Sequence, residues 1–167
     1  VDTVDESDRV TGSATVGECL SKGILHRAVA VLVVRSNGSV LLQQRSAEDD
    51  WQPGLWTVSC TGHVKKGESY EVAGKRELEE ELGLRALIQA RSKHRIPPIR
   101  EGPLVENEWV QLFVTRNDSE LSIDPVEVQA VREVGPSELA ALISRGPLTP
   151  DAKILLNAYA SSEAVAH

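Results

Sequence analysis

Apolar and polar positions fall along this chain in blocks that each favour one kind of element. Residues 1 to 23 are polar and carry Gly12, Ser13, Gly17 and Gly23, which reads as a leader with room for one short edge strand. The run His26-Arg27-Ala28-Val29-Ala30-Val31-Leu32-Val33-Val34 is β-branched and long enough for a buried strand. Asn37-Gly38 then signals a tight turn before Val40-Leu41-Leu42-Gln43-Gln44-Arg45, so the pair predicts a hairpin. A polar loop with Asp49, Asp50 and Pro53-Gly54 leads to a short strand, Leu55 to Cys60, and then to a loop from Gly62 to Gly67. Ser69 can cap a helix that reaches Leu82, with Gly83 as its stop. Further strands are expected near Leu87 to Ser92, Glu106 to Thr115 and Glu127 to Val134. Helices are expected after Pro136-Ser137 and from Thr149-Pro150, a capping residue followed by proline at the first helical position. Strands and helices interleave and hairpins occur among them, which predicts an α/β (α+β) fold with a mixed sheet flanked by helices, and one domain over residues 24 to 167.

Composition narrows the function classes. The 167 residues suit a single domain, and 41% apolar with 26% charged residues is a globular balance. Eighteen Lys and Arg against 25 Asp and Glu leave a net charge of −7, which disfavours a nucleic-acid polymer or an anionic membrane surface as main partner. No stretch approaches the ~20 apolar residues of a membrane helix. Cys19 and Cys60 are too few for a disulfide framework and read as free thiols of a reducing compartment. The acidic start, Val1 to Arg9, lacks the apolar core of a secretory signal, so a cytoplasmic location is expected. There is no methionine, even at position 1, which leaves room for a short segment before Val1.

The chemistry concentrates on the helix from Ser69 to Leu82. Glu77, Glu80 and Glu81 stand at i, i+3 and i+4 and share one face. As a solvated acidic face this is unfavourable: like charges at these spacings cost about 0.2–0.5 kcal/mol per pair, and they sit at the helix end whose dipole disfavours negative charge. A bound divalent cation removes both penalties, and carboxylate oxygens suit hard ions, Mg²⁺ or Mn²⁺ first. The wider spacing is Gly62, five residues, Glu68, seven residues, then Arg76-Glu77-Leu78-Glu79-Glu80-Glu81-Leu82-Gly83-Leu84. It matches the Nudix box, G-x5-E-x7-R-E-U-x-E-E-x-G-U with U apolar, at every specified position, for which chance odds are on the order of 10⁻⁷. The chain thus resembles the Nudix hydrolases. The resemblance implies an α/β/α sandwich and hydrolysis of a small-molecule diphosphate linked to another moiety. It also implies metal ligation by Glu77, Glu80 and Glu81 with the Gly62 carbonyl, and an Arg76–Glu68 pair that orients the helix. Glu77 and Glu80 are the candidate general bases, with Arg76 in the catalytic group. Many members of the family dimerise, so a homodimer is compatible with the resemblance.

Leu25-His26-Arg27-Ala28, Pro53-Gly54-Leu55-Trp56-Thr57, Gly62-His63 and Glu106-Asn107-Glu108 are also similar to the isopentenyl-diphosphate isomerase branch of the same fold. That likeness implies a second metal site at His26, His63, Glu106 and Glu108. The last two lie two apart and would share a strand face, either for joint ligation or as an ordinary polar face. Three departures separate the chain from the branch. The isomerase's catalytic cysteine falls at Thr61, with Cys60 one residue off and so on the opposite face of an extended segment. A further histidine ligand corresponds to Cys19, and a diphosphate-binding lysine to Asp49. The acidic segment, degenerate in the isomerase, is complete here. Arg45 matches a diphosphate-contacting residue of that branch. Trp56 and Phe113 read as core, whereas Trp51 and Trp109 can either pack at an edge or stack on a base or an isoprenyl chain. The loops Ser46 to Trp51 and Lys93 to Val105 are expected to set specificity; the second is made basic by His94, Arg95 and Arg100 and stiffened by Pro97-Pro98. A metal-dependent diphosphate hydrolase is the leading reading, with an isomerase and a non-catalytic diphosphate-binding module as alternatives.

Overall fold

The computed structural model describes residues 1–165. In chain order its elements are β1 (Asp2–Val4), β2 (Val10–Ser13), α1 (Val16–Lys22), β3 (His26–Val34), β4 (Val40–Arg45), β5 (Trp56–Thr57), β6 (Cys60–His63), α2 (Tyr70–Leu82), β7 (Gln89–Glu101), β8 (Leu104–Arg116), β9 (Val128–Val134), α3 (Pro136–Arg145) and α4 (Pro150–Val165). All nine strands belong to one mixed sheet centred on β3, which runs parallel to β8 from His26↔Glu108 to Val34↔Arg116. Its nine residues send side chains alternately to two apolar layers. Ala28, Ala30, Leu32 and Val34 pack with Leu139, Leu155 and Leu156 of α3 and α4, whereas Val29, Val31 and Val33 pack with Ala73, Leu78 and Leu82 of α2. The result is the expected helix–sheet–helix sandwich.

Three sequence expectations change. Residues 1–23 hold two strands and a helix instead of one edge strand. β1 joins β3 at Thr3↔His26, and α1 carries a full capping box at Thr15 and Glu18. Short elements of this kind leave little hydrophobic periodicity to read. The segment Lys93 to Val105 is not a loop but the closing half of a long β7–β8 hairpin, with a register shift between Ile96 and Ile99. Proline cannot donate to a ladder, so Pro97 and Pro98 sit where the ladder is interrupted.

The third change opens the site. β3 and β4 pair only at Val34↔Val40, beside their Gly38 turn, and then splay apart. The segment β5–β6 enters the gap, pairing with β4 at Thr57 and with β3 from Cys60 to His63. Ser59, fully buried, pins the fork: its hydroxyl accepts from Val33 N–H at 2.8 Å and donates to the Leu41 carbonyl at 2.6 Å. Ser59→Ala leaves two buried backbone groups unpaired and is expected to lower stability by about 1–3 kcal/mol in denaturant unfolding. A change within about 0.5 kcal/mol would show that the pin contributes nothing.

Candidate active site

Helix α2 begins at Ser69, whose side chain accepts from Val72 N–H, and ends at Gly83 in the left-handed conformation (φ 66°). Its buried face carries Leu78 and Leu82 into the core and, one step around, Glu77 and Glu81 toward the fork. Both carboxylates line a cavity of about 800 Å³ together with Arg45, Thr61, Gly62, His63, Glu106, Glu108 and Asp151. Glu80 is exposed and does not line it. Its carboxylate instead meets Arg76 at 3.1 Å on the outer shoulder of the helix. The shared face expected for the three acids therefore divides into two buried groups and one rim group.

Burial drives the pKa of Glu81 well above the carboxylate range, and the charge of Glu77 adds to it. Glu77 is also raised by burial, partly offset by Arg76. Glu81 Oε2 is buried with no hydrogen-bond partner. Two buried carboxylates with an unmatched oxygen are an unfavourable arrangement unless a cation shares the site, so these hard oxygen donors fit a divalent ion of the Mg²⁺ or Mn²⁺ type. Arg76 holds the first of them, Glu77, in place. It reaches both oxygens of Glu68 at 2.9 Å, the His63 carbonyl at 3.0 Å and Glu77 at 2.5 Å.

Gly62 explains the first residue of the box. A Cβ there would stand 2.1 Å from Cδ and Oε1 of Glu77. No real contact is that short, so Gly62→Ala must displace the carboxylate. It is expected to cost about 1–3 kcal/mol of stability and most of the turnover, measured by thermal unfolding and phosphate release. Wild-type kinetics in that variant would mean that Glu77 does not work from this position.

On the other side of β6 a second constellation faces the same cavity. Because side chains alternate along the strand, Cys60 and Gly62 point to α2, while Thr61 and His63 point away from it. Cys60 is fully buried in the layer under α2, and burial pushes its thiol well up. His26 Nδ1 bonds the Ile24 carbonyl at 2.8 Å, which turns Nε2 toward Glu108 Oε1 at 3.2 Å; His63 Nε2 lies 3.4 Å from the same oxygen. The imidazoles stack with centroids 5.2 Å apart. Burial opposes the charge of Glu108, but the two histidines outweigh it and hold its pKa low. Ligand atoms of His26, His63 and Glu108 lie within 4.8 Å of one another, and neither Nε2 has a hydrogen-bond partner. This nitrogen and oxygen set fits a divalent metal such as Mn²⁺ or Zn²⁺. Glu106 lines the cavity beside it, its pKa raised by burial and by Glu108. Cys19 is buried but is not part of the cluster among the described residues.

Arg45 lines the cavity, held by the Trp51 carbonyl at 2.8 Å and by Asp49 at 2.5 Å. Trp109 does not reach it. One residue after Glu108 on β8, it faces the opposite side, and the aromatic ring that lines the cavity is Trp51. Sequence reasoning missed Glu127 and Asp151, which also line the cavity. Glu127 lies at the entrance to β9, and its charge adds to the raised pKa values of Glu77 and Glu81. No spacing rule connects either residue to the box.

The sandwich, the box helix and the paired acids define the class. A NUDIX domain model matches residues 24–158, and the chain belongs to the Nudix family. Among its relatives, isopentenyl-diphosphate Delta-isomerase 2 of Photorhabdus laumondii is 38% identical over 144 residues, covering 86% of this chain and 81% of that protein. An uncharacterized Nudix hydrolase of Pseudomonas aeruginosa is 32% identical over 157 residues, covering 93% and 90%. A crystal structure of a Deinococcus radiodurans protein superposes with a TM-score of 0.77 at 21% identity, covering 93% of this chain and 96% of that one. No helix of the described residues is long and apolar enough to cross a membrane.

Proposed function

We propose that this protein is a metal-dependent hydrolase of a diphosphate linkage in a small molecule of the nucleoside-diphosphate or a related type. The observation that carries the reading is the complete acidic box, with Glu77 and Glu81 buried and lining the cavity and Glu77 held by Arg76. Glu77 and Glu81, with the Gly62 carbonyl, would hold the ion, and Glu80 stands on the rim within reach of Arg76. When bound, a divalent cation neutralises the diphosphate and lowers the pKa of an attacking water. Glu77 is suited to take the proton from that water, because it lines the cavity and Arg76 fixes its orientation. Arg45 faces the same cavity and offers positive charge to a phosphate.

An isomerase is the second reading, and overall similarity favours it: several of the relatives most similar to this chain carry that name. It is disfavoured locally. Thr61 stands where the isomerase resemblance requires a cysteine, and the neighbouring Cys60 points into the apolar layer. Purified protein is to be assayed with Mg²⁺ or Mn²⁺ against a diphosphate panel for release of phosphate or of a phosphate monoester, and with isopentenyl diphosphate for conversion to dimethylallyl diphosphate. Either release without interconversion supports the hydrolase, and the reverse pattern replaces it with the isomerase. Cys60→Ala sharpens the test. Retained activity is expected, with a stability loss of about 1 kcal/mol for the small cavity; loss of an isomerase activity in this variant would assign the thiol a chemical role.

A further inference from the structure

The box helix is gripped from outside the cavity as well as from within it. The β1–β2 hairpin turns at Asp8, a non-glycine residue in a left-handed backbone (φ 60°), which aspartate tolerates better than most residues. Its side chain is 9% exposed and its carboxylate gathers donors from three elements. Arg27 Nε reaches it at 2.6 Å from β3, Lys93 Nζ at 2.6 Å from β7, and the Tyr70 hydroxyl at 3.1 Å from the first residue of α2. Burial opposes the charge of Asp8, but Lys93 and Arg27 outweigh it and keep the carboxylate ionised, a strong acceptor for the phenol. The Arg27 and Lys93 cations also stand 5.4 and 5.0 Å from the centre of the Tyr70 ring. The same hairpin holds the loop before the helix, because Gly67 N–H donates to Asp2 at 2.9 Å.

Tyr70 is in register with the acids. Glu77 and Glu81 follow it by seven and eleven residues, which at 3.6 residues per turn puts both within roughly 20° of the Tyr70 direction, about 10 and 16 Å further along the axis. A rotation of α2 that swings the Tyr70 hydroxyl off Asp8 therefore swings both carboxylates through the same angle. Between them Gly74 lets the helix lie against Val29 and Val31 with no side chain to resist that rotation; a Cβ there would meet Ile88 at 2.8 Å. We propose that Asp8 is a positioning residue of the box: through the Tyr70 hydroxyl it fixes the rotation of α2 and thereby the aim of Glu77 and Glu81, which rests on the reading of those two acids as metal ligands.

Tyr70→Phe removes the hydroxyl and keeps the ring. Asp8→Gly removes the carboxylate and keeps the turn, since glycine adopts the left-handed backbone freely. Glu6→Gln, on the same hairpin with an exposed carboxylate paired to Arg95, is the control. Each variant is first verified as folded by circular dichroism and a thermal melt. In the metal-free proteins at one pH, the ¹³C side-chain carboxyl shifts of Glu77 and Glu81 are expected to move in Tyr70→Phe and in Asp8→Gly and to stay in place in Glu6→Gln. Calorimetric Mn²⁺ affinity, read for the site that Glu81→Gln abolishes, should fall about fivefold or more in each of the two variants. In the double variant it should fall no further than in Asp8→Gly, because the two groups act through one bond. Lower melting temperatures with unchanged shifts and affinity would make the contact merely structural and overturn the proposal. So would losses that multiply in the double variant. Should Asp8→Gly fail to fold, Tyr70→Phe decides alone, since it deletes only the donor of that bond. Mn²⁺ binding that survives Glu81→Gln would overturn the metal reading of the box instead, and the carboxyl shifts would still decide whether Asp8 positions the helix.

Discussion

Replacing Glu81 by glutamine is expected to cut Mg²⁺-dependent turnover by about 10²-fold or more, the scale on which a single preorganised electrostatic group acts, while raising the stability of the metal-free protein. Both effects have one origin. Glu81 is 5% exposed, burial pushes its pKa well above the ordinary 4.5, and one of its oxygens has no partner. The folded chain therefore holds a proton that the unfolded chain releases at lower pH. Stability from such a group is full below the unfolded pKa and is lost as pH rises through the raised folded value. Glu77 contributes with the same sign. Without divalent metal, the wild-type melting temperature should fall as pH is taken from about 5 to 8, and Glu81→Gln should flatten that fall. Added Mg²⁺ should restore the wild type and do little for the variant. Thermal melts across pH, with and without Mg²⁺, together with phosphate release, test this. A variant that keeps both its turnover and its metal response would remove Glu81 from the site. Glu80→Gln is the internal comparison and should lose less, because that carboxylate is exposed and outside the cavity lining.

Arg76→Met is expected to be the most destabilising single change in the site, by about 3 kcal/mol, the lower end of the range for breaking a buried ion pair. Its side chain is 18% exposed, and those of Glu68 and Glu77 are 11% and 10% exposed, so removing the cation strands two poorly hydrated acids. It also frees the loop between Gly62 and Glu68, which Arg76 ties to α2 through the His63 carbonyl and both Glu68 oxygens. Arg76→Lys should recover part of the stability but little of the activity, since one ammonium cannot bridge a carbonyl and three carboxylates in a fixed plane. Denaturant unfolding and kinetics of both variants check this. Stability in Arg76→Met within about 1 kcal/mol of wild type would show the network to be solvent-screened.

The helix that carries the chemistry was legible from residues alone. Ser69 and Gly83 delimit it, and the like charges at i, i+3 and i+4 are unfavourable without a cation. The strand core was equally legible, because β3 alternates between two apolar layers and β-branched runs have few other uses. These are local matters, set by period, capping and steric demand within a few residues. The splay of β3 from β4 was not legible, since it depends on Ser59 arriving from another segment to bridge Val33 and Leu41. Nor was the β7–β8 hairpin, in which two prolines are tolerated at an interruption of the ladder.

The sequence by itself determined the family and the box, because one loop and the helix after it are encoded in one short spacing. Only the tertiary structure decided how those acids divide, with Glu77 and Glu81 buried and Glu80 on the rim. It also decided that Trp51 rather than Trp109 lines the cavity, and that Glu127, Asp151 and Gln43 join the site. Those residues come from β4, the loop after it, the turn before β9 and α4, and what unites them is how the packed fold brings these segments to one cavity, which no linear spacing contains.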